Sequence, residues 1–117
     1  MSGGEGFSLP SFHAVGLGKH AVLHNCSAIS DWANEENAVL VNPSNKTEVY
    51  DGMFFHPNQP FNQGNIYDWN EDEFISACEK AITRFENSQC NENGVKLQEE
   101  YSWDKTVNTI LKTINES

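Results

Sequence analysis

The segment from residue 2 to residue 18 carries the residue types that could bind a polar ligand near the start of the chain. Glu5 follows a turn of small residues and precedes the run Gly6-Phe7-Ser8-Leu9-Pro10. Pro10 lies early in a short apolar stretch, and Gly18 stands where a helix needs a left-handed residue to end. The segment therefore predicts a loop that enters a helix, whose free N–H groups and dipole favour an anion beside the acceptor Glu5. We expect a site for a phosphorylated, sugar-like molecule rather than for an apolar one.

A second group with possible ligand chemistry consists of His20, His24 and Cys26. On a regular strand these side chains would lie on one side, as a metal site requires. Only these three candidate ligands occur together, and their spacing differs from that of zinc fingers. We therefore favour polar residues at the end of a strand, near a ligand crevice, and expect no metal.

Length and charge limit the functions that this chain can have. Its 117 residues suit one domain with a modest core, and its net charge is −10. An acidic surface repels nucleic acid and anionic lipid, so we expect neither as a partner. No apolar run approaches the length of a membrane span, and the first residues lack the features of a signal peptide. We expect a cytoplasmic protein with reduced cysteines and no membrane insertion.

Residues 1–43 have the pattern of alternating strands and helices. Apolar runs at 21–24 and 38–41 predict two strands, and the second is stopped by Asn42-Pro43. A short helix over 27–33, with Ser27 as its cap, would connect them as parallel neighbours. Two parallel strands do not make a stable sheet alone, so the pattern indicates part of something larger.

Residues 44–69 have no clear period, and they predict an aromatic-rich loop in which residues 53–55 could form a short strand. We favour packing of the aromatic side chains onto the core, with a lid over a ligand or partner as the alternative.

Residues 70–117 predict two helices. Asn70 is a suitable cap for the first, with Glu73 three residues later and Trp69 and Phe74 as a hydrophobic staple. This helix should end near residue 87, where a polar break over residues 87–93 begins, and a second helix should begin at a Ser102 cap. Two sets of apolar residues recur at helical spacing: Phe74, Ala77, Cys78, Ala81, Ile82 and Phe85, then Trp103, Val107, Ile110, Leu111 and Ile114. The second stripe must dock on a surface that this short chain need not contain.

The order of these segments resembles the C-terminal donor-binding part of retaining GT-B glycosyltransferases, the group 1 or family 4 enzymes. The similarity lies in residues 5–10, 14–18, 21–29 and 38–43, and in Tyr101-Ser102-Trp103-Asp104 at the start of the final helix. It implies an α/β fold that is a partial Rossmann-like GT-B C-terminal domain. Such a domain has a short parallel sheet flanked by helices, with two C-terminal helices.

The resemblance also implies roles for individual residues. Glu5 matches the catalytic acid that reaches the hydroxyls of the transferred sugar. The donor-binding positions match Gly6, Phe7 and Ser8, whose amides meet that sugar, and Leu9, which begins the helix facing the diphosphate. The acid that holds the ribose falls at His13, whose imidazole offers one donor and one acceptor where a carboxylate offers two oxygens.

The function implied is hexosyl transfer from a nucleotide-sugar, the donor substrate, to a glycan or other acceptor, with no other cofactor. The family's acceptor domain and the cations that clamp the diphosphate have no counterpart here. The chain is then a fragment or a split subunit that is not active alone, and a separate chain would carry the acceptor domain. The alternative is a non-catalytic module that binds a nucleotide or a partner. Open strand edges would also permit a homo-oligomer.

Overall fold

The computed structural model describes residues 1–116, and a pair of short parallel strands lies at its centre. These are β1 (Val22–His24) and β2 (Val39–Val41), which pair with Val22 opposite Val39 and His24 opposite Val41. Both predicted strands and their parallel direction are confirmed. The connection contains the short helix α2 (Ile29–Trp32), but Ser27 does not cap it. Ser27 instead adopts a φ of 53° in the turn before the helix, so the predicted cap is wrong.

The parallel pair is covered on both faces, as its continuous apolar sequence predicts. On one face, Leu23 and Leu40 pack with α1 (Leu9–Gly16) and α2 around the buried Trp32. On the other face, Val39 and Val41 pack against Ala77 of α3 (Glu71–Asn87). Alternate side chains of each strand therefore serve two separate apolar clusters.

Helix α1 begins and ends as its sequence indicates. Pro10 lies in the first turn, where a missing N–H costs no helical hydrogen bond. At the other end, Gly18 has a φ of +84°, and its N–H donates to the Val15 carbonyl at 2.9 Å. The Lys19 N–H reaches the Ala14 carbonyl at 3.1 Å, which completes a Schellman motif.

The segment predicted as a loop over 44–69 contains an antiparallel hairpin, so that expectation is wrong. Strand β3 (Asn45–Glu48) pairs with β4 (Asn65–Asp68), with Asn45 opposite Asp68. The two strands are largely polar, so the sequence shows no apolar alternation that would predict them. They are held together by hydrogen bonds between backbone groups that are far apart in sequence. The strand predicted over 53–55 is absent there, since the amides of these three residues donate to the Asp51 carboxylate in a turn.

Two aromatic side chains of this segment also differ from expectation. Phe54 and Phe61 are largely exposed, so they do not pack onto the core. Tyr67 is half-buried in β4, and Trp69 contacts Phe74 with ring centroids 5.0 Å apart. The hydrophobic staple at the start of α3 is confirmed.

The N-terminus of α3 follows the prediction, whereas its apolar face is only partly buried. The Asn70 side chain accepts a hydrogen bond from the Glu73 N–H at 3.1 Å, which confirms the cap. Ala77 is buried, but Ile82 and Phe85 are exposed and Cys78 is only half-buried. The sheet has two strands, so it is too narrow to cover the whole apolar face of a helix of this length.

The polar break after α3 contains two short helices that the sequence analysis did not predict. These are α4 (Glu92–Val95) and α5 (Leu97–Glu100), so the C-terminal part has four helices within residues 1–116 where two were expected. The Asn91 side chain caps α4 by accepting from the Gly94 N–H at 3.1 Å. Leu97 is buried in the cluster with α1 and α2, so α5 closes one side of that cluster.

The last helix, α6 (Trp103–Glu116), starts at Ser102 as predicted, and the Ser102 hydroxyl accepts from the Lys105 N–H at 3.2 Å. The apolar stripe expected on this helix is exposed along its length, with Trp103 85% exposed. Its apolar face is therefore uncovered to a large extent within the described structure, as its sequence predicted for a short chain.

The described residues form a mixed α/β protein with a short parallel sheet between helices, which confirms the predicted α/β class. The three cysteines Cys26, Cys78 and Cys90 are free thiols, in agreement with the prediction. Within residues 1–116, no helix combines the length and apolar character that crossing a bilayer requires.

Candidate functional site

The candidate site is the loop of residues 5–8 together with the start of α1, and hydrogen bonds hold it at the carboxyl end of β1. The Glu5 carbonyl accepts from the Ala28 N–H at 3.3 Å in the turn between β1 and α2. In open α/β sheets, ligands bind at this end of the strands. The loop therefore lies at the edge of the sheet where a ligand site is expected.

An aromatic cluster fixes the course of the loop after Glu5. The indole Nε1–H of Trp32 donates to the Phe7 carbonyl at 2.9 Å. The Phe7 ring lies 5.1 Å from Phe12 and 6.2 Å from Tyr101, measured between ring centroids. Trp32 is almost fully buried, so its hydrogen bond and ring contacts anchor the loop to the core. Sequence analysis did not assign Trp32 or Tyr101 to the site, because only the folded chain brings them to Phe7.

The first turn of α1 leaves backbone donors available. Ser8 has a φ of 68° and makes no capping bond to the helix, because its hydroxyl donates instead to the Ser11 hydroxyl at 2.9 Å. Pro10 has no N–H, so the donors of this turn are those of Leu9 and Ser11. Neither N–H group makes a hydrogen bond within residues 1–116. This arrangement can bind an anionic oxygen, as the sequence predicted for this segment.

Glu5 is the exposed acid of the site, and its negative charge affects the pKa of the neighbouring Cys26 thiol. Cys26 is buried two residues after β1, and burial is the main reason that its pKa is raised above the ordinary value. A hydrogen bond with Ser27 lowers this pKa, and the Glu5 carboxylate raises it again by repelling the thiolate. The Glu5 charge therefore acts at the carboxyl end of β1, which agrees with the backbone contact to Ala28.

His24 is the buried last residue of β1, and its side chain contacts the N-terminal segment. Its Nδ1 lies 2.7 Å from the Ser2 carbonyl oxygen, which can only accept, so we assign the proton to Nδ1. Its Nε2 is buried and has no hydrogen-bond partner in the described part of the chain. His24 is 1% exposed, so it anchors the N-terminal segment and does not face an open site.

The structure separates the other residues that the sequence grouped as possible ligands. His20 Nε2 contacts the Ser88 carbonyl oxygen at 2.7 Å, before β1 begins, whereas His24 and Cys26 both approach the Ser2 carbonyl. Across residues 1–116, no three His, Cys, Asp or Glu side chains form a group that could hold a metal ion.

The remaining donor-binding positions are distributed along the loop and α1. Gly6 is exposed, Ser8 is half-buried and Leu9 begins α1. His13 is exposed one turn further along, where its ring meets the edge of Phe12 with centroids 6.3 Å apart. No hydrogen bond or ion pair among the described residues joins His13 to Glu5.

Two asparagines that the sequence analysis did not assign to the site also lie at the carboxyl end of the strands. Asn25 follows β1 and donates through Nδ2 to Oδ1 of Asn42, which follows β2, at 3.0 Å. Ser30 donates to Asn25 Oδ1 at 3.0 Å, which fixes the orientation of the amide. The signal available in the sequence was one asparagine directly after each apolar run.

A groove of about 420 Å³ lies elsewhere, between β2 and α3. It is lined by β2, by Asn42 after it and by Ser76, Ala77 and Lys80 of α3, and none of the predicted donor-binding residues belongs to it. The loop of residues 5–8 and this groove are therefore two distinct features of the molecule.

Comparison with known proteins identifies no relative of this chain. No protein-family model matches the chain, and no curated protein or solved structure is significantly similar to it.

Proposed function

We propose that this chain contributes the nucleotide-sugar donor site of a retaining glycosyltransferase, with a separate chain supplying the acceptor site. The observation that supports this most directly is the location of Glu5. Its carbonyl bonds to Ala28 and its carboxylate acts on Cys26, so the acid lies at the carboxyl end of a parallel strand, beside the start of α1. The α/β arrangement around it is compatible with a Rossmann-like GT-B C-terminal domain.

In this proposal, each part of the loop has a chemical task. Glu5 accepts hydrogen bonds from the hydroxyls of the transferred hexose, next to the amides of Gly6, Phe7 and Ser8. The amides at the start of α1, from Leu9 onward, bind the diphosphate leaving group, whose charge grows in the transition state. His13 meets the ribose through one ring nitrogen. The protein then acts by holding the donor in position and stabilising charge.

The charge distribution explains why a second chain belongs to the proposal. Lys19 is the lysine nearest to the loop in sequence, but it follows Gly18 beyond the C-terminal end of α1. An eight-residue helix is about 12 Å long, so Lys19 lies at the far end from the amides at Leu9. The cations that neutralise a diphosphate would therefore come from the partner chain, in a cytoplasmic complex.

The position of Lys19 also favours a second candidate, a non-catalytic module that binds a nucleotide or a partner. Without a clamp from another chain, the loop offers hydrogen bonds to a donor but little stabilisation of the leaving group. Such a module binds nucleotide-sugars and does not transfer the hexose when the candidate acceptor chain is added.

The experiment measures donor binding to the described protein by saturation-transfer NMR and calorimetry. UDP-glucose, ADP-glucose and GDP-mannose serve as probes, and the variants are Glu5→Gln and, as the matched control on the remote face of α3, Glu79→Gln. A hydrogen bond to a charged group contributes about 1.5–3 kcal/mol, so Glu5→Gln should weaken binding about tenfold or more.

Two results would contradict the proposal. One is the absence of binding by all three probes to the folded protein. The other is equal affinity of the wild type and Glu5→Gln, since the acid would then take no part in holding the sugar.

A further inference from the structure

The outer edge of β2 is an open backbone edge at the bottom of a groove. The Val39 N–H donates to the Ala21 carbonyl at 2.9 Å, and the Val41 carbonyl accepts from the Asn25 N–H at 2.8 Å. Both valines therefore direct their backbone groups towards β1. Because these groups alternate in direction along a strand, the N–H and C=O of Leu40 point away from β1.

These outward groups have no partner in the described structure. Neither the Leu40 N–H and C=O nor the Asn42 N–H takes part in a hydrogen bond within residues 1–116. The edge is closed only at its beginning, where Arg84 Nη1 donates to the Ala38 carbonyl at 2.9 Å. Unpaired backbone groups on a sheet edge are a template for another strand.

The groove beside this edge has the size and lining for an extended segment. It holds about 420 Å³ between β2 and the overhanging α3, with Val39, Val41 and Ala77 as apolar floor. Helix α3 packs over β2 and so would cover a strand added beside it. A parallel sheet is normally buried on both faces, and this geometry provides the cover for one further strand.

The charged rim of the groove indicates the chemistry of that segment. Lys80 lies 3.6 Å from the Glu35 carboxylate, so these two charges largely offset each other. Asp72 and Glu73 remain on the rim without a cationic partner in the part of the chain that the structure describes. An extended segment with lysine or arginine at its ends complements this rim and the net charge of −10.

A second copy of the chain fits this edge less well. Pairing of two β2 edges brings together two chains that each carry a net charge of −10. Like charges placed opposite each other in an interface disfavour that partner.

We propose that an extended, apolar segment of a different protein, flanked by basic residues, binds as an added strand along β2 under α3. Its backbone pairs with the Leu40 N–H and C=O and with the Asn42 N–H. Its alternate apolar side chains pack under α3 beside Ala77, and its basic residues at the end next to Asn42 face Asp72 and Glu73. This proposal uses a different part of the molecule from the donor loop and does not depend on glycosyl transfer.

The test uses a synthetic peptide of alternating valine and threonine with two lysines at each end, and the full chain of this protein. Amide hydrogen exchange and NMR shift changes report where the peptide binds. We expect slower exchange at the Leu40 and Asn42 amides in the complex. A peptide with glutamates in place of the lysines should bind about 5-fold more weakly or worse. A peptide whose alternate amides are N-methylated on the pairing edge should not bind.

Variants of the rim separate charge recognition from changes in folding. Asp72→Asn combined with Glu73→Gln should weaken binding of the lysine-flanked peptide about 2- to 10-fold. The double variant should not weaken binding of the glutamate-flanked peptide. Glu79→Gln removes an acid of the same helix outside the groove and should leave both affinities unchanged. Higher salt should reduce the difference between the two peptides.

Three results would overturn the proposal. The first is no slowing of exchange at Leu40 and Asn42 with the lysine-flanked peptide. The second is equal affinity for the two flanking charges. The third is a concentration-dependent dimer in sedimentation with these amides already protected, which would make a second copy the occupant. Binding of UDP-glucose to the donor loop is measured separately, so either proposal can fail without the other.

Discussion

Replacement of Asn91 tests the packing of the C-terminal helices against the parallel strands. This side chain is 5% exposed, and its Nδ2 donates to the Lys19 carbonyl at 3.0 Å and to the Asn37 carbonyl at 2.6 Å. Its Oδ1 also accepts from the Gly94 N–H at 3.1 Å. One amide therefore joins the end of α1, the segment before β2 and the start of α4.

The expected cost follows from the groups that lose their partner. In Asn91→Ala, two carbonyls lose a donor, at about 1–3 kcal/mol for each buried group, and α4 loses a cap that contributes about 1 kcal/mol. We expect the free energy of unfolding to fall by about 3 kcal/mol or more. A domain of this size is stable by only about 5–15 kcal/mol, so the loss is a large fraction of the total.

Asn91→Asp refines the test because it keeps the shape of the side chain. The introduced carboxylate still accepts from the Gly94 N–H, but it donates to neither carbonyl and repels both. Its pKa in the folded state is then raised above the unfolded value, because the charged form is disfavoured. The variant should therefore be least stable at pH above that folded pKa. Its stability should increase relative to wild type as the pH falls through this pKa towards the unfolded value.

Urea unfolding followed by tryptophan fluorescence, to which the buried Trp32 contributes, and by circular dichroism measures both variants. Asn93→Ala is the matched control, since this neighbouring asparagine is exposed and makes only long bonds: its Nδ2 donates to the Glu36 carbonyl at 3.3 Å, and its Oδ1 accepts from Lys96 Nζ at 3.5 Å. It should change stability by no more than about 0.5 kcal/mol. The reasoning is refuted by a loss below about 1 kcal/mol for Asn91→Ala, or by an Asn91→Asp variant that gains stability as the pH rises.

Three further predictions concern the backbone, a thiol and a turn. Gly18→Ala should lower the free energy of unfolding, measured by calorimetry, by about 1–2 kcal/mol. The φ of +84° disfavours a side chain, and the new Cβ would lie 2.8 Å from Cys90 Sγ. Cys26 should react with iodoacetamide more slowly than the exposed Cys90 at pH 8, because burial raises the Cys26 pKa and hinders access; mass spectrometry of digested protein gives both rates. The Asp51 carboxylate accepts hydrogen bonds from the amides of residues 53–55, and these bonds lower its pKa in the folded protein. The turn should therefore persist above the unfolded pKa of Asp51 and loosen as the pH falls through the lower folded pKa, which the NMR shifts of these amides measure.

Each of these predictions has a control or a contrary result. Gly6→Ala is the glycine control, since a Cβ there meets no atom within 4 Å and the effect should be small. Equal alkylation rates for Cys26 and Cys90 would contradict the burial argument. If Asp51→Asn showed the same pH dependence as wild type, another group would control the turn.

Features that depend on a few neighbouring residues could be predicted from the sequence. Both parallel strands were, because continuous apolar runs stopped by polar residues favour strands buried on two faces. The caps at Asn70 and Ser102 and the end of α1 at Gly18 were also predicted, since each is a bond or conformation set within one turn. The loop near Glu5 and its entry into α1 belong to this group.

The predictions that failed concern contacts between distant parts of the chain. The hairpin of β3 and β4 joins residues about 20 apart through backbone bonds, and its polar strands have no apolar alternation to reveal them. The exposure of Phe85 depends on how far the sheet extends under α3, which the periodicity of α3 does not encode. The α4 and α5 helices are short, and a four-residue helix is stabilised by its surroundings more than by its own sequence.

The sequence by itself therefore determined the local pieces: the parallel strands, the main helices and their caps, and an acid before a helix start. The tertiary structure alone decided how these pieces meet. It joined Trp32 to the Phe7 carbonyl, put Glu5 beside Ala28 and Cys26, and buried Asn91 between three segments. Within residues 1–116 it also left the Leu40 backbone groups without a hydrogen-bond partner, beside α3. The physical reason is that caps and periodicity act within one or two turns, whereas packing and strand pairing depend on which distant surfaces the chain brings into contact.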